Sequence, residues 1–231
     1  MPARRKQLRR WLRIAGIALA LLLAFSVVLT LPLRYVAPPT TAFMLQDASG
    51  REPVAWHWRD WPALGDALPL AAVASEDQKF TSHFGFDVES IRKSVSGAGR
   101  GTRLRGASTI SQQLAKNLYL WPGRSFLRKG LEAWLTLFLE IGLPKRRILE
   151  LYLNVAEFGP GIYGAEAASR HFFGKPAAAL TQREAALLVA VLPNPARYDA
   201  GRPTPYLRER QAWILGQMAR LRREGWHTTL D

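Results

Sequence analysis

Between Ser75 and Asp87 the chain reads SEDQKFTSHFGFD, which sets Glu76, Asp77, Lys79, His83 and Asp87 among Phe80, Phe84 and Phe86. The run just before it, Leu68 to Ala74, is apolar. A carboxylate at the edge of an apolar wall is where desolvation lifts a pKa toward the range useful for general acid or base work. Glu76 is therefore the first candidate for chemistry. Adjacent helical residues point about 100° apart, so Glu76 and Asp77 do not form a proton-sharing dyad. One faces a cleft while the other supports the loop. Judged alone, such a pair more often marks a solvated helix end.

Three further stretches carry polar groups at telling spacings. GASTISQQLAKN, Gly106 to Asn117, presents Ser108, Thr109, Gln112, Gln113, Lys116 and Asn117. Ser108, Gln112 and Lys116 fall at i, i+4 and i+8 on one helix face, and a helix N-terminus favours oxyanions. In RSFLRKGLE, Arg124 to Glu132, Arg128 pairs with Glu132 at i, i+4 and Lys129 with Glu132 at i, i+3. On a bare surface these contacts are worth only a few tenths of a kcal/mol. Together with Lys116 and Arg124, the same cations suit a departing pyrophosphate, with Glu132 orienting them. Finally, Asn154 and Glu157 stand at a helix exit before FGPGIYG, where polar residues usually brace the turn.

The elements that must position these groups read as helices. Asp66 to Phe80 is the first, with Glu76 near its C-terminal end. Ser108 to Leu120 is the second, capped by Ser108 or Thr109. Ser125 caps a third, whose apolar residues recur at helical spacing until Gly142. Pro144 opens a fourth through about Asn154. A turn at Phe158 to Gly164 precedes a short helix from Ala165 to Phe173. Thr181 with Glu184 matches a capping box for a helix to about Leu192, and a basic helix runs from Pro205 to Arg223. A short strand is expected around Thr41 to Leu45, with no alternating strand series elsewhere. SVSGAGRGTRLRG, Ser94 to Gly106, reads as a glycine-arginine segment that an anion would order.

Ile14 to Leu33 holds no charge over 20 residues, which at 1.5 Å per residue matches a hydrocarbon core of about 30 Å. No small-residue cleavage pattern closes the run, so it reads as an anchor rather than a signal peptide. Basic residues cluster before it, which places the N-terminus in the cytoplasm and the remainder outside. The expected organisation is a basic tail at 1–13, the membrane helix at 14–33, a Pro- and Trp-rich linker and membrane-proximal segment at 34–66, and a helical domain at 67–231. Trp56, Trp58 and Trp61 sit either at the lipid interface or packed on that domain.

The whole chain of 231 residues carries a formal net charge of +14, and six of those charges precede residue 14, leaving +8 for the rest. Nucleic acid, anionic lipid and pyrophosphate esters all suit such a balance. Nucleic acid is set aside by the expected topology and by the lack of a recognised binding motif. The chain has no cysteine, so thiolate nucleophiles, thiolate zinc sites and disulfides are excluded.

Taken in order, SEDQKFTSHFGFD, GASTISQQLAKN, RKGLE, ILELYLNVAEFGPGIYGAEAASRHFFGK and ALLVAVLPNPARY resemble the five motif blocks of the peptidoglycan glycosyltransferases. The resemblance covers roughly Leu68 to Tyr198, and five ordered blocks are far more specific than any one of them. With a single N-terminal anchor, the monofunctional biosynthetic members of the family are the closer match. The resemblance implies a mainly α, lysozyme-like lobe with a small membrane-associated jaw subdomain. It also implies polymerisation of lipid II by inverting transfer of the growing glycan from undecaprenyl pyrophosphate to the 4-hydroxyl of the next lipid II.

Position by position, Glu76 matches the general base and Glu132 the second catalytic glutamate, on the pyrophosphate side. Lys116, Arg124, Arg128 and Lys129 match basic positions facing that pyrophosphate. Ser108, Gln112, Gln113 and Asn117 fall in the cleft-lining block, with Asp77, Phe80 and His83 around the base and Asn154 and Glu157 as cleft support. The place before the second glutamate is often charged in the family and is Leu131 here.

No obligate cofactor is implied, although Mg2+ or Mn2+ near the pyrophosphate is compatible with the family. The expected partners are lipid II, nascent glycan strands and the inner (plasma) membrane, with proteins of cell division or cell-wall synthesis as candidates. Two alternatives use some of the same residues. A lysozyme-like hydrolase shares the glutamate but has no use for the cation cluster. A non-catalytic, membrane-anchored binding protein would use only the basic surface.

Overall fold

The computed structural model describes residues 2–92, 108–123, 125–226 and 230. The glycine-arginine segment at 94–106 and Arg124 lie outside the described residues.

Helix α1 (Pro2–Thr30) continues through a 3-10 turn at Leu31–Arg34. From Arg9 to Arg34 it spans 26 residues and contains an 18-residue window with a mean hydropathy of 2.7, long and apolar enough to cross a membrane. Its last turns are bonded into the domain. Trp134 Nε1 donates to Ser26 Oγ at 2.9 Å, Tyr119 Oη to Leu29 O at 2.8 Å and Arg147 Nε to Leu33 O at 2.7 Å.

Thr41 to Leu45 is helical rather than extended. Thr41 Oγ1 accepts from Met44 N at 3.2 Å and caps the single-turn helix α2 (Ala42–Leu45). A Thr followed by Ala, Phe, Met and Leu, all compatible with a helix, gives the cap the advantage over a strand that has no neighbour to pair with.

The centre of the domain is α3 (Ala67–Glu76), in which Leu68 through Ala74 are all buried. A helix that is apolar on every side must be enclosed. Its small residues Ala71, Ala72 and Ala74 permit close approach by α8 (Gln182–Val189) and α9 (Pro205–Arg223). Around this core lie α4 (Ile110–Tyr119), α5 (Phe126–Gly142), α6 (Lys145–Val155) and α7 (Ala165–Phe173). Ser125 caps α5, and the Thr181–Glu184 capping box opens α8, both as their sequences require.

A small sheet joins strands the sequence did not reveal. Ala55–Trp56 (β1) runs parallel to Ile162–Tyr163 (β3), which pairs antiparallel with Glu157–Gly159 (β2). Strands of two or three residues are too short to show alternation, and pairing across more than 100 positions leaves no local signature. The sheet also fixes the residues read as a linker. Trp56 Nε1 donates to Asn154 O at 2.8 Å, while Trp58 and Trp61 pack against the core. The tryptophan segment is thus built into the domain.

Candidate active site

Glu76 is the last residue of α3, so the enclosed core helix delivers its carboxylate to the rim of a cavity of about 450 Å³. Both carboxylate oxygens are held. Ser75 Oγ donates to Oε1 at 2.7 Å, and Gln113 Nε2 on α4 donates to Oε2 at 3.1 Å. Gln113 is itself fixed by the Tyr152 hydroxyl of α6, which donates to its Oε1 at 3.0 Å. Burial, followed by the charges of Glu76 and Asp77, pushes the Tyr152 phenol far above its usual range, so it remains a donor. From α9, Arg210 Nη2 lies 3.9 Å from Glu76 Oε1.

Asp77 turns inward. Its Oδ1 accepts from His83 Nε2 at 2.8 Å and its Oδ2 from Ile110 N, the first amide of α4, at 3.1 Å. It therefore pins the end of α3 to the start of α4. Phe80 is completely buried under the Lys145 ammonium, 4.6 Å from the ring centroid. The loop closes on Gly85, whose φ of 75° suits glycine and where a Cβ would meet Thr136 Cγ2 at 2.7 Å. Thr109 Oγ1 donates to Gly85 O at 2.6 Å, locking the loop to α4.

These contacts set the surroundings of part of the expected substrate-facing set. Phe80 is fully buried, Asp77 gives its oxygens to His83 and α4 while still lining the cavity, and His83 Nδ1 is buried without a partner among the described residues. Gln112 is buried, with its side-chain oxygen accepting from Thr109 N at 3.1 Å in a capping box. Asn117 is also buried. Of the GASTISQQLAKN block, Ser108, Gln113 and Lys116 remain toward the site. Helical periodicity gave the shared face of these residues but not which neighbouring element covers it.

The second glutamate lies among cations. Glu132 is 3% exposed; Arg128 Nη1 donates to its Oε2 at 2.8 Å, and Lys129 Nζ bonds its Oε1. Lys129 also donates to Ser108 Oγ at 3.3 Å, and Ser108 lines the Glu76 cavity. Ser108 thus links the two glutamates' surroundings. Lys116 lies over the Phe43 ring at 4.9 Å, within the fields of Glu132, Arg128, Glu157 and Lys129. Burial is the largest effect on Lys116 and lowers its pKa from the ordinary lysine value. A partly desolvated ammonium without a carboxylate in contact, among the described residues, is suited to an incoming anion.

Asn154 is a brace: it donates to Arg59 O at 2.8 Å and Glu150 O at 2.9 Å, and accepts from Arg59 N at 2.8 Å. Glu157 has its pKa raised to about 7, by burial first and by Asp47 second, with Lys116 opposing. Among the described residues no group of three or more His, Cys, Asp or Glu is placed to hold a metal ion. Sequence reasoning missed Ser75, Tyr152 and Arg210. Ser75 adjoins Glu76 and could have been found locally. Tyr152 looked like core, and Arg210 was one basic residue on a basic helix.

The family described as Transglycosylase matches residues 49–219, a span that begins within the tryptophan-rich segment. A biosynthetic peptidoglycan transglycosylase of Xanthomonas campestris pv. campestris (strain B100) is 49% identical over 236 aligned positions, covering 97% of this chain and 93% of that protein. Proteins of the same name from Stutzerimonas stutzeri (strain A1501) and Aeromonas hydrophila subsp. hydrophila are 51% and 49% identical. These alignments cover 87% and 92% of this chain and 85% and 92% of the respective relatives. With a helical, lysozyme-like domain, a glutamate at the cavity rim and a matched span covering most of its length, the chain belongs to the transglycosylase family, the glycosyltransferases of peptidoglycan synthesis in cell-wall biosynthesis.

Proposed function

We propose that this transglycosylase polymerises lipid II, moving the growing glycan from its undecaprenyl pyrophosphate onto the 4-hydroxyl of an incoming lipid II with inversion at the anomeric carbon. The observation that carries the reading is the pairing of one hydrogen-bonded carboxylate at a cavity rim with a cation cluster joined to that rim through Ser108. Glu76 accepts the proton of the acceptor hydroxyl as the new bond forms. A sugar hydroxyl is a weak nucleophile and gains from a positioned base. The departing pyrophosphate concentrates negative charge, which Lys116, Arg128 and Lys129 stabilise while Glu132 keeps the last two in place. Arg124 is assigned to the same group on the family resemblance. Direct displacement needs no glycosyl-enzyme intermediate.

In this reading no cofactor is obligatory, and Mg2+ or Mn2+ would be carried on the pyrophosphate oxygens. The anchor crosses the inner membrane with its basic N-terminus in the cytoplasm, and the domain faces the other side. Phe126, Leu127 and Ile141 on α5 are largely exposed, and α5 is bonded to α1 through Trp134 and Ser26. This apolar face lies against the bilayer as the jaw, where it would meet polyprenyl tails. Lipid II and nascent glycan are then the substrates. Proteins of division or wall synthesis are candidate partners.

Purified lipid II supplied to the full-length wild type and to Glu76→Gln tests the reading. Glycan polymer from the wild type and none from the variant, with lipid II binding retained, is the expected result. Shortening of preformed glycan with no polymer would point to a hydrolase instead.

A further inference from the structure

Arg210 lies outside the five motif blocks and 134 positions from Glu76 in sequence, but next to the base in space. Its Nη2 donates to both the carbonyl oxygen and the hydroxyl of Ser75, each at 3.2 Å. Among the described residues these are its only hydrogen-bond acceptors, and its buried Nε has none. The guanidinium stacks over Trp213 of the same helix at 4.7 Å, which limits its travel away from α3.

Two consequences follow from elementary electrostatics. Ser75 O is among the last carbonyls of α3, where a cation complements the helix dipole. The Ser75 hydroxyl that accepts from Arg210 also donates to Glu76 Oε1, and the cation stands 3.9 Å from that oxygen. Arg210 therefore acts on Glu76 directly through charge and indirectly through a polarised hydroxyl.

We propose that Arg210 is a positioning residue for Glu76, placing a cation beside the carboxylate and fixing its Oε1 through Ser75, while Gln113 fixes Oε2. The inference rests on the reading of Glu76 as the base. It adds helix α9 to the catalytic apparatus, so the packing of α9 on α3 sets the geometry of proton abstraction as well as the core. The other charged or titratable groups around Glu76 are Asp77 beside it, Tyr152 behind Gln113, and Lys79, Asp87, Arg220 and Glu224 along the same cavity. Among the described residues, only Arg210 joins a cationic charge to a hydroxyl bridge onto the carboxylate.

The test compares wild type, Arg210→Gln and Arg210→Lys as full-length proteins in detergent. The Glu76 side-chain carbon is observed by NMR at one neutral pH with 13C-labelled glutamate, its resonance assigned by subtraction of Glu76→Gln. Lipid II polymerisation is followed in parallel at the same pH. In Arg210→Gln the Glu76 carboxyl carbon resonance should move away from its wild-type position, because the cation beside Oε1 and its grip on the Ser75 hydroxyl are gone. The kcat should fall about tenfold or more with KM nearly unchanged, and Arg210→Lys should recover part of both effects.

A Glu76 resonance and a kcat that both stay at their wild-type values in Arg210→Gln overturn the inference. A resonance that moves while the wild type makes no polymer overturns the lipid II reading and leaves the Arg210 contact standing. Should Arg210→Gln fail to fold, Ser75→Ala removes the bridge and leaves both charges. Unchanged kcat and Glu76 resonance in that variant would equally sink the proposal.

Discussion

Glu76 and Glu132 are the same residue type in two opposite environments. Glu132 is enclosed and paired directly with Arg128 and Lys129, both from its own helix. Glu76 is held by a neutral hydroxyl and a neutral amide, with the cation of Arg210, its nearest among the described residues, at the edge of ion-pair distance. A carboxylate engaged by two cations is a poor proton acceptor but a good clamp. One held by single neutral donors on each oxygen keeps lone pairs for an incoming hydroxyl. The difference divides the work: one glutamate meets the acceptor, and the other organises the charge that meets the leaving group.

The sharpest way to break that division is to neutralise each carboxylate in turn. Glu76→Gln should lower the polymerisation kcat by about 10²–10⁴, the usual worth of a general base, with lipid II binding and the melting temperature nearly unchanged. Glu132→Gln should instead unfold more readily. It leaves Arg128 largely buried without its counter-charge, a loss on the order of 3 kcal/mol that thermal denaturation would register as a drop of roughly 6–12 °C. If Glu132→Gln were as stable as wild type and merely inactive, the clamp role would be wrong.

Lys116 extends the comparison to the cations. Unlike Arg128 and Lys129 it lies on an aromatic ring rather than in an ion pair among the described residues. Lys116→Met should cost about 10–100-fold in kcat with little change in stability, because the cation is expected to meet its anion only when substrate is bound. Equal kcat losses accompanied by large stability losses would place Lys116 with Glu132 instead.

The smallest effect concerns Glu157, a third glutamate whose pKa is raised to about 7 by burial. The folded protein keeps this proton to higher pH than the unfolded chain, whose Glu titrates near 4.5. Stability from this group is therefore complete below about 4.5 and is lost as pH rises through about 7. Glu157→Gln should raise the melting temperature at pH 8 by about 2–5 °C, allowing for partial solvation, and change it little at pH 4.5. The same measurement at both pH values separates this effect from a general packing change.

Much of the frame was legible because it is local. Ser125, Thr109 and Thr181 announce helix starts, Gly142 and Gly174 mark helix ends, and the membrane helix is visible from length and lack of charge alone. The Thr41 to Leu45 strand was misread because a four-residue apolar run carries no period of its own, so the threonine cap decided it. Gln112 and Gln113 differ by a single position, yet one closes a cap and the other holds the base. Only α3 and α6 packing against α4 distinguishes them.

The sequence by itself determined the Glu132 cluster, since i, i+3 and i, i+4 spacing on any regular helix brings Arg128 and Lys129 to that carboxylate. It also placed Glu76 at the end of an apolar helix. The tertiary structure decided what surrounds Glu76: Gln113 from α4, Tyr152 from α6 and Arg210 from α9, separated from it by 37, 76 and 134 positions. No local periodicity encodes such meetings, because they depend on how buried helices pack against one another around Leu68 to Ala74.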